Sequence, residues 1–357
     1  MIGILTFHEA LNYGAVLQCY GLYRSLTLIE ADSEIIDYHC EQIYNNERPV
    51  YFREIYNIKK LVNFLLSNRK KKRKKEKFER FINVNISISP NKYTRDSIKE
   101  CSDRYSRFIV GSDQIWNLEL TNNDRTYYLD FVKEKYKKNA YAGSIGRLIR
   151  CKEYYEAIQS LNTFNVLTVR EPEARVIIRD IASCEADVVL DPTLLLPKEE
   201  WDKIVDHASY PVKRKYIMLY MIDRDERYFS KIRDFAQSKG YDILFVSNYL
   251  RPIKNVKMLN DLGPEEFLLL LKNAEYVFTG SFHGLCFSII FEKKFFYVLN
   301  KNSYKERIFN LLTIAGLLNR YIENITDAQI DYKNVKDRMK PYIDTSIEKL
   351  RMIVQEK

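Results

Sequence analysis

The sequence predicts an α/β protein made of two Rossmann-like domains, each built on a parallel sheet. Short apolar, β-branched or aromatic runs alternate with longer amphipathic runs, which is the pattern of repeated βαβ units. The 357 residues, 46% of them hydrophobic, are too many for one core, because single cores stop growing at ~250 residues. We therefore expect an N-terminal domain over 1–200, joined by a C-terminal helix over 337–357, and a C-terminal domain over 212–335.

The first half of the chain contains six predicted strands separated by helices. The strands are expected at Gly3–Phe7, Glu34–Tyr38, Arg107–Val110, Asn139–Ala142, Val166–Val169 and Asp187–Leu190. The helices are expected at Tyr13–Leu26, Ile58–Ile82, Glu153–Leu161 and Pro172–Ile181. Asn12 is a typical N-cap residue, and proline is favoured in the first turn of a helix.

The same alternation resumes after a linker expected near 196–214. Its strands are predicted at Tyr216–Met221, Asp242–Val246, Tyr276–Phe278 and Phe295–Leu299. Its helices are predicted at Glu226–Ser238, Pro264–Lys272, Leu285–Phe291 and Lys305–Leu312. A closing helix over Asp337–Val354 is expected to pack back across the first domain.

Composition argues against a nucleic-acid-binding protein, a disulfide-rich protein and a zinc protein. Most of the net charge of +9 comes from one run, Arg69–Lys75, which reads RKKKRKK and has no interleaved aromatic residue. A nucleic-acid-binding surface is therefore not expected. The six cysteines are scattered without metal-ligand spacing, so neither a disulfide framework nor a zinc site is indicated.

The sequence also predicts a cytoplasmic location. The N-terminal residues lack the basic region of a signal peptide. The stretch Tyr276–Phe291 is free of Asp, Glu, Lys and Arg, but its 16 residues fall short of the ~20 that span a bilayer.

Polar and small residues follow the predicted strands, where ligands bind in open parallel sheets. The candidate binding residues are Asn12, Tyr13, Gly14, Ser112, Asp113, Ser144, Arg170, Asp191, Thr193, Ser281, His283 and Gly284. Gly-Ser and Asp-Pro-Thr are also ordinary turn and cap sequences. Similarly, Arg170 and Glu171 have an alternative interpretation as a solvated pair, and the run at 69–75 as a solvated helix face.

His283 has the strongest case for function. It lies between Ser281 and Gly284 at a predicted strand-to-helix junction, where free backbone N–H groups and the helix dipole favour an anion. Histidine exchanges protons near neutral pH, so we expect His283 to act on a bound substrate.

Five segments, in this order, resemble the polysaccharide pyruvyl transferase family. They are GILTFHEALNYGAVLQCYGL (3–22), FIVGSDQIWN (108–117), LTVREP (167–172), VVLDPTLLL (188–196) and TGSFHGLCFSIIF (279–291). The resemblance extends from Gly3 to about Leu318. In the last segment the family mostly shows Thr-Asp-Ser before His-Gly, whereas this chain has Gly280 at the acidic position.

The resemblance implies a GT-B-like fold with the active site in the interdomain cleft. It also implies transfer of a pyruvyl unit from phosphoenolpyruvate to two hydroxyls of a sugar, giving a cyclic ketal and phosphate. Such enzymes serve the synthesis of capsule, exopolysaccharide or cell-wall glycans, on a sugar or a lipid-linked oligosaccharide. No cofactor beyond the phosphoenolpyruvate co-substrate and no metal are expected.

The chemistry suggests a role for each candidate residue. Arg170 is expected to hold the donor across the cleft from His283, helped by the helix N-termini after Asn12 and Ser281. His283 is the candidate general acid, or neutralises the departing phosphate, and Asp113 orients or deprotonates the acceptor.

Two other functions remain open. The same architecture supports a glycosyltransferase that uses a nucleotide sugar. Gly280 also leaves open a non-catalytic sugar-binding relative. If the acceptor is lipid-linked, the basic run at 69–75 is expected to contact anionic headgroups at the inner face of the membrane.

Overall fold

The computed structural model describes residues 1–45, 49, 58–146, 151–221, 223, 225–247, 252–299 and 305–355. The chain forms two compact units. Unit 1 consists of residues 1–46, 82–196 and 339–357, and unit 2 of residues 47–81 and 197–338. The sequence had assigned residues 47–81 to the first domain; the described residues 58–81 fall in unit 2.

Unit 1 is built on a parallel seven-stranded sheet with the order β3-β2-β1-β4-β5-β6-β7. Its strands are β1 (Ile2–Leu5), β2 (Ser33–Tyr38), β3 (Ile88–Tyr93), β4 (Arg107–Gly111), β5 (Lys138–Gly143), β6 (Val166–Val169) and β7 (Asp187–Val188). The order runs outwards in both directions from β1 and β4, so the topological switch point lies between these two strands.

The six strands predicted for unit 1 are confirmed, with ends that differ by up to two residues. β1 and β6 are buried along their whole length, as expected of strands covered on both faces. The prediction missed β3, because Pro90 and Asn91 are poor strand formers. β3 lies at the edge of the sheet, where a proline is tolerated because no further strand needs its N–H.

The helices of unit 1 lie between its strands along the chain. They are α1 (Tyr13–Leu28), α2 (Glu41–Asn45), α4 (Leu118–Thr121), α5 (Lys152–Gln159) and α6 (Pro172–Ala182). Helix α3 (Ile58–Asn85) begins in unit 2 and ends in unit 1, and α12 (Tyr332–Gln355) does the same. The part of α12 within unit 1 contacts its sheet, because Ser346 Oγ accepts a hydrogen bond from the Leu190 N–H at 2.9 Å.

Unit 2 has a parallel five-stranded sheet with the order β10-β9-β8-β11-β12. Its strands are β8 (Tyr216–Tyr220), β9 (Asp242–Val246), β10 (Lys257–Leu259), β11 (Tyr276–Thr279) and β12 (Phe295–Tyr297). The switch point lies between β8 and β11. Only the three-residue edge strand β10 was missed, because it is too short to show a pattern.

The helices of unit 2 include one that the sequence had interpreted as a linker. They are α7 (Lys198–Val205), α8 (Glu226–Lys239), α9 (Pro264–Asn273), α10 (Phe282–Ile290) and α11 (Lys305–Ala315). The expected linker at 196–214 therefore contains α7. Trp201 and Val205 of α7 are buried at helical spacing, and the Trp201 ring packs edge-on against Phe287 at 4.8 Å.

The basic run at 69–75 is only partly solvated. Lys74 is buried, Arg73 lies 3.7 Å from the Asp261 carboxylate, and Lys75 pairs with Glu79 at 3.3 Å. Further along α3, Lys77 Nζ donates to the Glu266 carboxylate at 2.7 Å. The interpretation of the whole run as a solvated face is therefore wrong for part of it. Its exposed residues are Arg69, Lys70, Lys72 and Arg73, of which Arg73 also lies near the Asp261 carboxylate.

Candidate functional site

Unit 1 brings a set of polar side chains together at the carboxyl edge of its sheet. Ser112 and Asp113 follow β4, Ser144 follows β5, Arg170 follows β6, and Asp191 lies three residues beyond β7. Hydrogen bonds and ion pairs join these five residues into one network. Residues that the sequence predicted to follow neighbouring strands are therefore neighbours in the structure.

The turn after β4 depends on glycine. Gly111 has a φ of +140°, and a Cβ at this position would lie 1.9 Å from the Tyr141 carbonyl oxygen on β5. Two residues later, Asp113 has a φ of +99°. Positive φ is uncommon for residues other than glycine, and such conformations concentrate at functional sites.

Asp113 is the most accessible carboxylate of the network, with 17% of its side chain exposed. Its Oδ1 accepts a hydrogen bond from the Gln114 N–H at 2.9 Å, and its backbone oxygen accepts one from the Ser144 N–H at 3.1 Å. Within the described part of the chain, no residue donates a hydrogen bond to Oδ2. The local backbone thus fixes the carboxylate and leaves one of its oxygens available.

Arg170 lies at the centre of three carboxylates, with only 1% of its side chain exposed. Its Nη1 donates to Asp191 Oδ2 at 2.9 Å, its Nε lies 3.7 Å from Glu171 Oε2, and its Nη2 lies 4.0 Å from Asp113 Oδ1. Burial disfavours the charge, but the carboxylates of Asp191, Glu171 and Asp113 outweigh it and raise the pKa of Arg170 above its usual value. With all four groups ionised, the network is net negative.

Asp191 lies beneath Arg170 and is fully buried. Its Oδ2 also accepts from Ser112 Oγ at 3.1 Å, while its Oδ1 accepts from the N–H and Oγ1 of Thr193 at 3.0 and 2.7 Å. Both carboxylate oxygens are therefore engaged within unit 1. Asp191 and Thr193 hold the base of the network, and their predicted substrate contacts stay a prediction.

Glu171 was missed as a candidate site residue. Its Oε1 accepts a hydrogen bond from Ser144 Oγ at 2.5 Å, and its side chain is 9% exposed. The interpretation of Arg170 and Glu171 as a solvated pair is wrong, because both are buried. The available signal was Pro172, which begins α6 and makes Glu171 the N-cap residue at the same sheet edge.

The N-terminus of α1 lies beside this network at the end of β1. Asn12 caps the helix as predicted, with Oδ1 accepting from the Ala15 N–H at 3.2 Å. Tyr13 and Gly14 are buried in the first turn. Gln18, which the sequence analysis missed, donates to Thr6 Oγ1 and accepts from the Ser112 N–H, both at 2.8 Å. It therefore joins the two strands that flank the switch point.

Unit 2 places its candidate residues between β11 and α10, at its own switch point. Thr279 Oγ1 donates to the Tyr220 carbonyl of β8 at 3.0 Å and accepts from the Ser281 N–H at 3.1 Å. Ser281 caps α10 by accepting from the Gly284 N–H at 3.3 Å. A Cβ on Gly284 would lie 2.3 Å from Thr279 Oγ1, so only glycine allows this close approach.

His283 is the second residue of α10 and is 8% exposed. The helix begins three residues earlier than predicted, so His283 lies within the first turn instead of before it. Its ring packs edge-on against Phe282 at 5.3 Å, and the Arg307 guanidinium lies 5.7 Å from the Phe282 ring centre. Helix N–H groups, an imidazole and a nearby guanidinium together suit an anionic ligand.

Neither a metal site nor a membrane span is apparent in the described ranges. There, no group of three or more His, Cys, Asp or Glu side chains is placed to hold a metal ion. None of the helices in the same ranges has the length and apolar character needed to cross a bilayer.

The two parallel sheets with interleaved helices define a protein of the GT-B structural class, as predicted. A UDP-GlcNAc 2-epimerase from Methanocaldococcus jannaschii, in complex with UDP-GlcNAc and UDP, has a similar structure. Its TM-score is 0.51 at 14% identity, covering 100% of this chain and 92% of that chain. A putative UDP-N-acetylglucosamine 2-epimerase from Listeria monocytogenes gives 0.52 at 10% identity, with 100% and 91% covered. At these identities the likeness shows the fold alone.

The sequence matches no curated protein. The polysaccharide pyruvyl transferase family, however, has a sequence model that matches residues 12–302. The chain therefore belongs to this family, as its motifs predicted. The match includes both switch points, from Asn12 at the start of α1 to His283 in α10.

Proposed function

We propose that this protein transfers a pyruvyl unit from phosphoenolpyruvate to two hydroxyls of a sugar, forming a cyclic pyruvate ketal and releasing phosphate. The sugar would belong to a surface polysaccharide, such as capsule or exopolysaccharide, or to its lipid-linked precursor. Membership of the polysaccharide pyruvyl transferase family supports the reaction class. In this proposal phosphoenolpyruvate is a co-substrate, and the reaction takes no further cofactor.

The observation that carries the proposal is the placement of His283 in the first turn of α10. This turn presents backbone N–H groups, and the Ser281 side chain caps it from the strand side. Phosphoenolpyruvate carries a phosphate and a carboxylate, so it needs both anion-binding groups and a proton donor. The start of α10 supplies both kinds of group in one place.

The proton balance of the reaction requires an acid and a base. Both acceptor hydroxyls lose their protons: one proton is gained overall by the methylene carbon, which becomes methyl, and the other leaves with the phosphate. We assign protonation of the methylene carbon, or neutralisation of the departing phosphate, to His283. We assign deprotonation of an acceptor hydroxyl to Asp113, the accessible carboxylate of unit 1.

Unit 1 offers anion-binding groups of its own at the carboxyl edge of its sheet. The N-terminus of α1 around Asn12 and Gly14 offers additional N–H groups to the donor. Arg170 was expected to hold the donor as well, but three carboxylates already surround it. A different role for Arg170 is therefore argued below.

Phosphate release tests the proposed function. Phosphoenolpyruvate is incubated with galactose, glucose, mannose and N-acetylhexosamine acceptors, and the products are analysed for a ketal by mass spectrometry. His283→Ala should lower the rate by about 100-fold or more, as expected on losing a general acid. His207→Ala is the matched control, because His207 is exposed in the turn after α7.

Three results would contradict the proposal. Activity of His283→Ala within about twofold of wild type would remove His283 from the mechanism. A thermal shift with a nucleotide sugar but none with phosphoenolpyruvate would favour a glycosyltransferase. Binding of an acceptor without any release of phosphate would favour a non-catalytic sugar-binding relative.

A further inference from the structure

The three carboxylates around Arg170 differ in exposure, and this difference separates their roles. Asp191 is fully buried beneath the guanidinium, Glu171 is 9% exposed at its side, and Asp113 is 17% exposed. Asp191 and Glu171 are further fixed by hydrogen bonds from serine hydroxyls. Asp113 is the most exposed of the three, and its Oδ2 accepts no hydrogen bond from the described residues.

The same arrangement makes Arg170 a poor primary site for the donor. Its guanidinium is buried, and the carboxylates of Asp113, Glu171 and Asp191 more than balance its charge. A ligand with two to three negative charges would therefore meet a net negative cluster. Hydroxyl groups, in contrast, donate readily to a carboxylate held in a fixed orientation.

We propose that Arg170 is a positioning residue that acts through Asp113: with Asp191 and Glu171 holding the guanidinium in place, it keeps the Asp113 carboxylate oriented towards an acceptor hydroxyl. This inference rests on the proposed pyruvyl transfer and assigns the unit 1 edge to the neutral acceptor. In this arrangement Arg170 contacts Asp113, Asp191 and Glu171. Of these residues, Asp113 is the one that would contact the acceptor.

The backbone conformation of Asp113 supports its assignment as the residue that contacts the acceptor. Its φ of +99° is held by a hydrogen bond from the Ser144 N–H to its carbonyl oxygen, and Gly111 allows the preceding turn. Residues held in such conformations cluster at active sites and ligand-binding positions. The neighbouring strands β5, β6 and β7 contribute the charged or titratable groups Tyr141, Arg170, Glu171 and Asp191.

The proposal predicts two pH shifts of opposite sign. Arg170→Gln removes a positive charge from the cluster, so it should move the acid limb of kcat/KM for the acceptor to higher pH. Glu171→Gln removes a negative charge from the same cluster, so it should move this limb to lower pH. The shift in Arg170→Gln should be about one pH unit, as expected for a charge 4.0 Å from the carboxylate.

Glu171→Gln also protects the test against misfolding. The amide oxygen of glutamine can still accept the hydrogen bond from Ser144, and Arg170 keeps Asp191 as its closest partner. Arg175→Gln is the matched control, because Arg175 is exposed on α6 and pairs with Glu185 at 3.3 Å. The control should leave the pH profile unchanged, and both test variants should keep the KM for phosphoenolpyruvate within about threefold of wild type.

The outcomes distinguish the inference from the proposed function. Opposite shifts with an unchanged KM for phosphoenolpyruvate support the inference. An acid limb that does not move in Glu171→Gln, or a tenfold or larger rise in that KM in Arg170→Gln, overturns it while the function stands. A wild-type protein that releases no phosphate with any acceptor overturns the proposed function, and the inference fails with it.

Discussion

The substitution Gly111→Ala tests how the structure holds Asp113. Gly111 is the last residue of β4 and pairs with Tyr141 of β5. Its φ of +140° is rarely adopted by residues with a side chain, and an added methyl carbon would lie 1.9 Å from the Tyr141 carbonyl oxygen. Since the obstacle is backbone, no side-chain rotation can relieve the overlap.

The cost has two parts. The disfavoured backbone conformation costs on the order of 1–3 kcal/mol. Relieving the overlap requires β4 and β5 to separate locally, which weakens ladder hydrogen bonds worth about 1 kcal/mol each. A total of about 3–5 kcal/mol places this substitution among the most destabilising. For a domain of this size, it corresponds to a fall in Tm of about 10 °C.

Differential scanning calorimetry of Gly111→Ala and Gly240→Ala separates the overlap from the effect of positive φ. Gly240 has a φ of +66° at the end of α8, but no atom lies within 4 Å of a Cβ added there. The substitution Gly240→Ala should therefore lower the free energy of unfolding by only about 1 kcal/mol. A Gly111→Ala protein that melts within about 2 °C of wild type, or above Gly240→Ala, would refute the reasoning.

Two further predictions concern charge. If the exposed part of the basic run contacts membranes, replacing Arg69, Lys70 and Lys72 by Gln should lower the affinity for anionic vesicles by about 100-fold, because each basic residue near such a surface contributes about 1 kcal/mol and about 1.4 kcal/mol corresponds to a tenfold change. Turnover of a soluble acceptor should persist, and unchanged sedimentation with the vesicles would contradict the contact. Burial alone raises the pKa of Asp37, but the hydrogen bond and charge of His8, with Lys92 and His39, lower it overall. Asp37 therefore stabilises the fold above its unfolded value of 3.8, and this stability is lost as pH falls through the lower folded value. Asp37→Asn should flatten the fall in the free energy of unfolding between pH 5 and 3, measured by urea denaturation, and an unchanged slope would contradict this account.

Much of the fold was predictable because it depends on local patterns. Buried parallel strands are short apolar runs, and the helices between them are longer and amphipathic, so ten strands could be located. The errors have physical causes as well. α7 has acidic and basic residues around its apolar stripe, and its burial against Phe287 is visible only in the structure.

The candidate site was predictable in position but not in electrostatics. The rule that ligands bind beyond the carboxyl ends of strands identified Asp113, Arg170 and Asp191 as neighbours. Sequence position does not reveal which side chains are buried, so Glu171 was interpreted as solvated. The balance of three carboxylates against one guanidinium depends on distances that three separate strands, β4, β6 and β7, determine together.

The proposed donor is an anion and the proposed acceptor is neutral, so they need binding sites of different charge. The switch points of the two units differ in charge in the same way. A donor with a phosphate and a carboxylate suits the N-terminus of α10, whereas a neutral diol suits the carboxylate cluster at Asp113. Gly280 is consistent with an anionic donor at the N-terminus of α10. At the position where the family mostly shows an acidic residue, this chain places no negative charge beside the first turn of α10. The proposed anion binding at that turn would therefore meet less repulsion, while His283 lacks a carboxylate at position 280 to orient its imidazole.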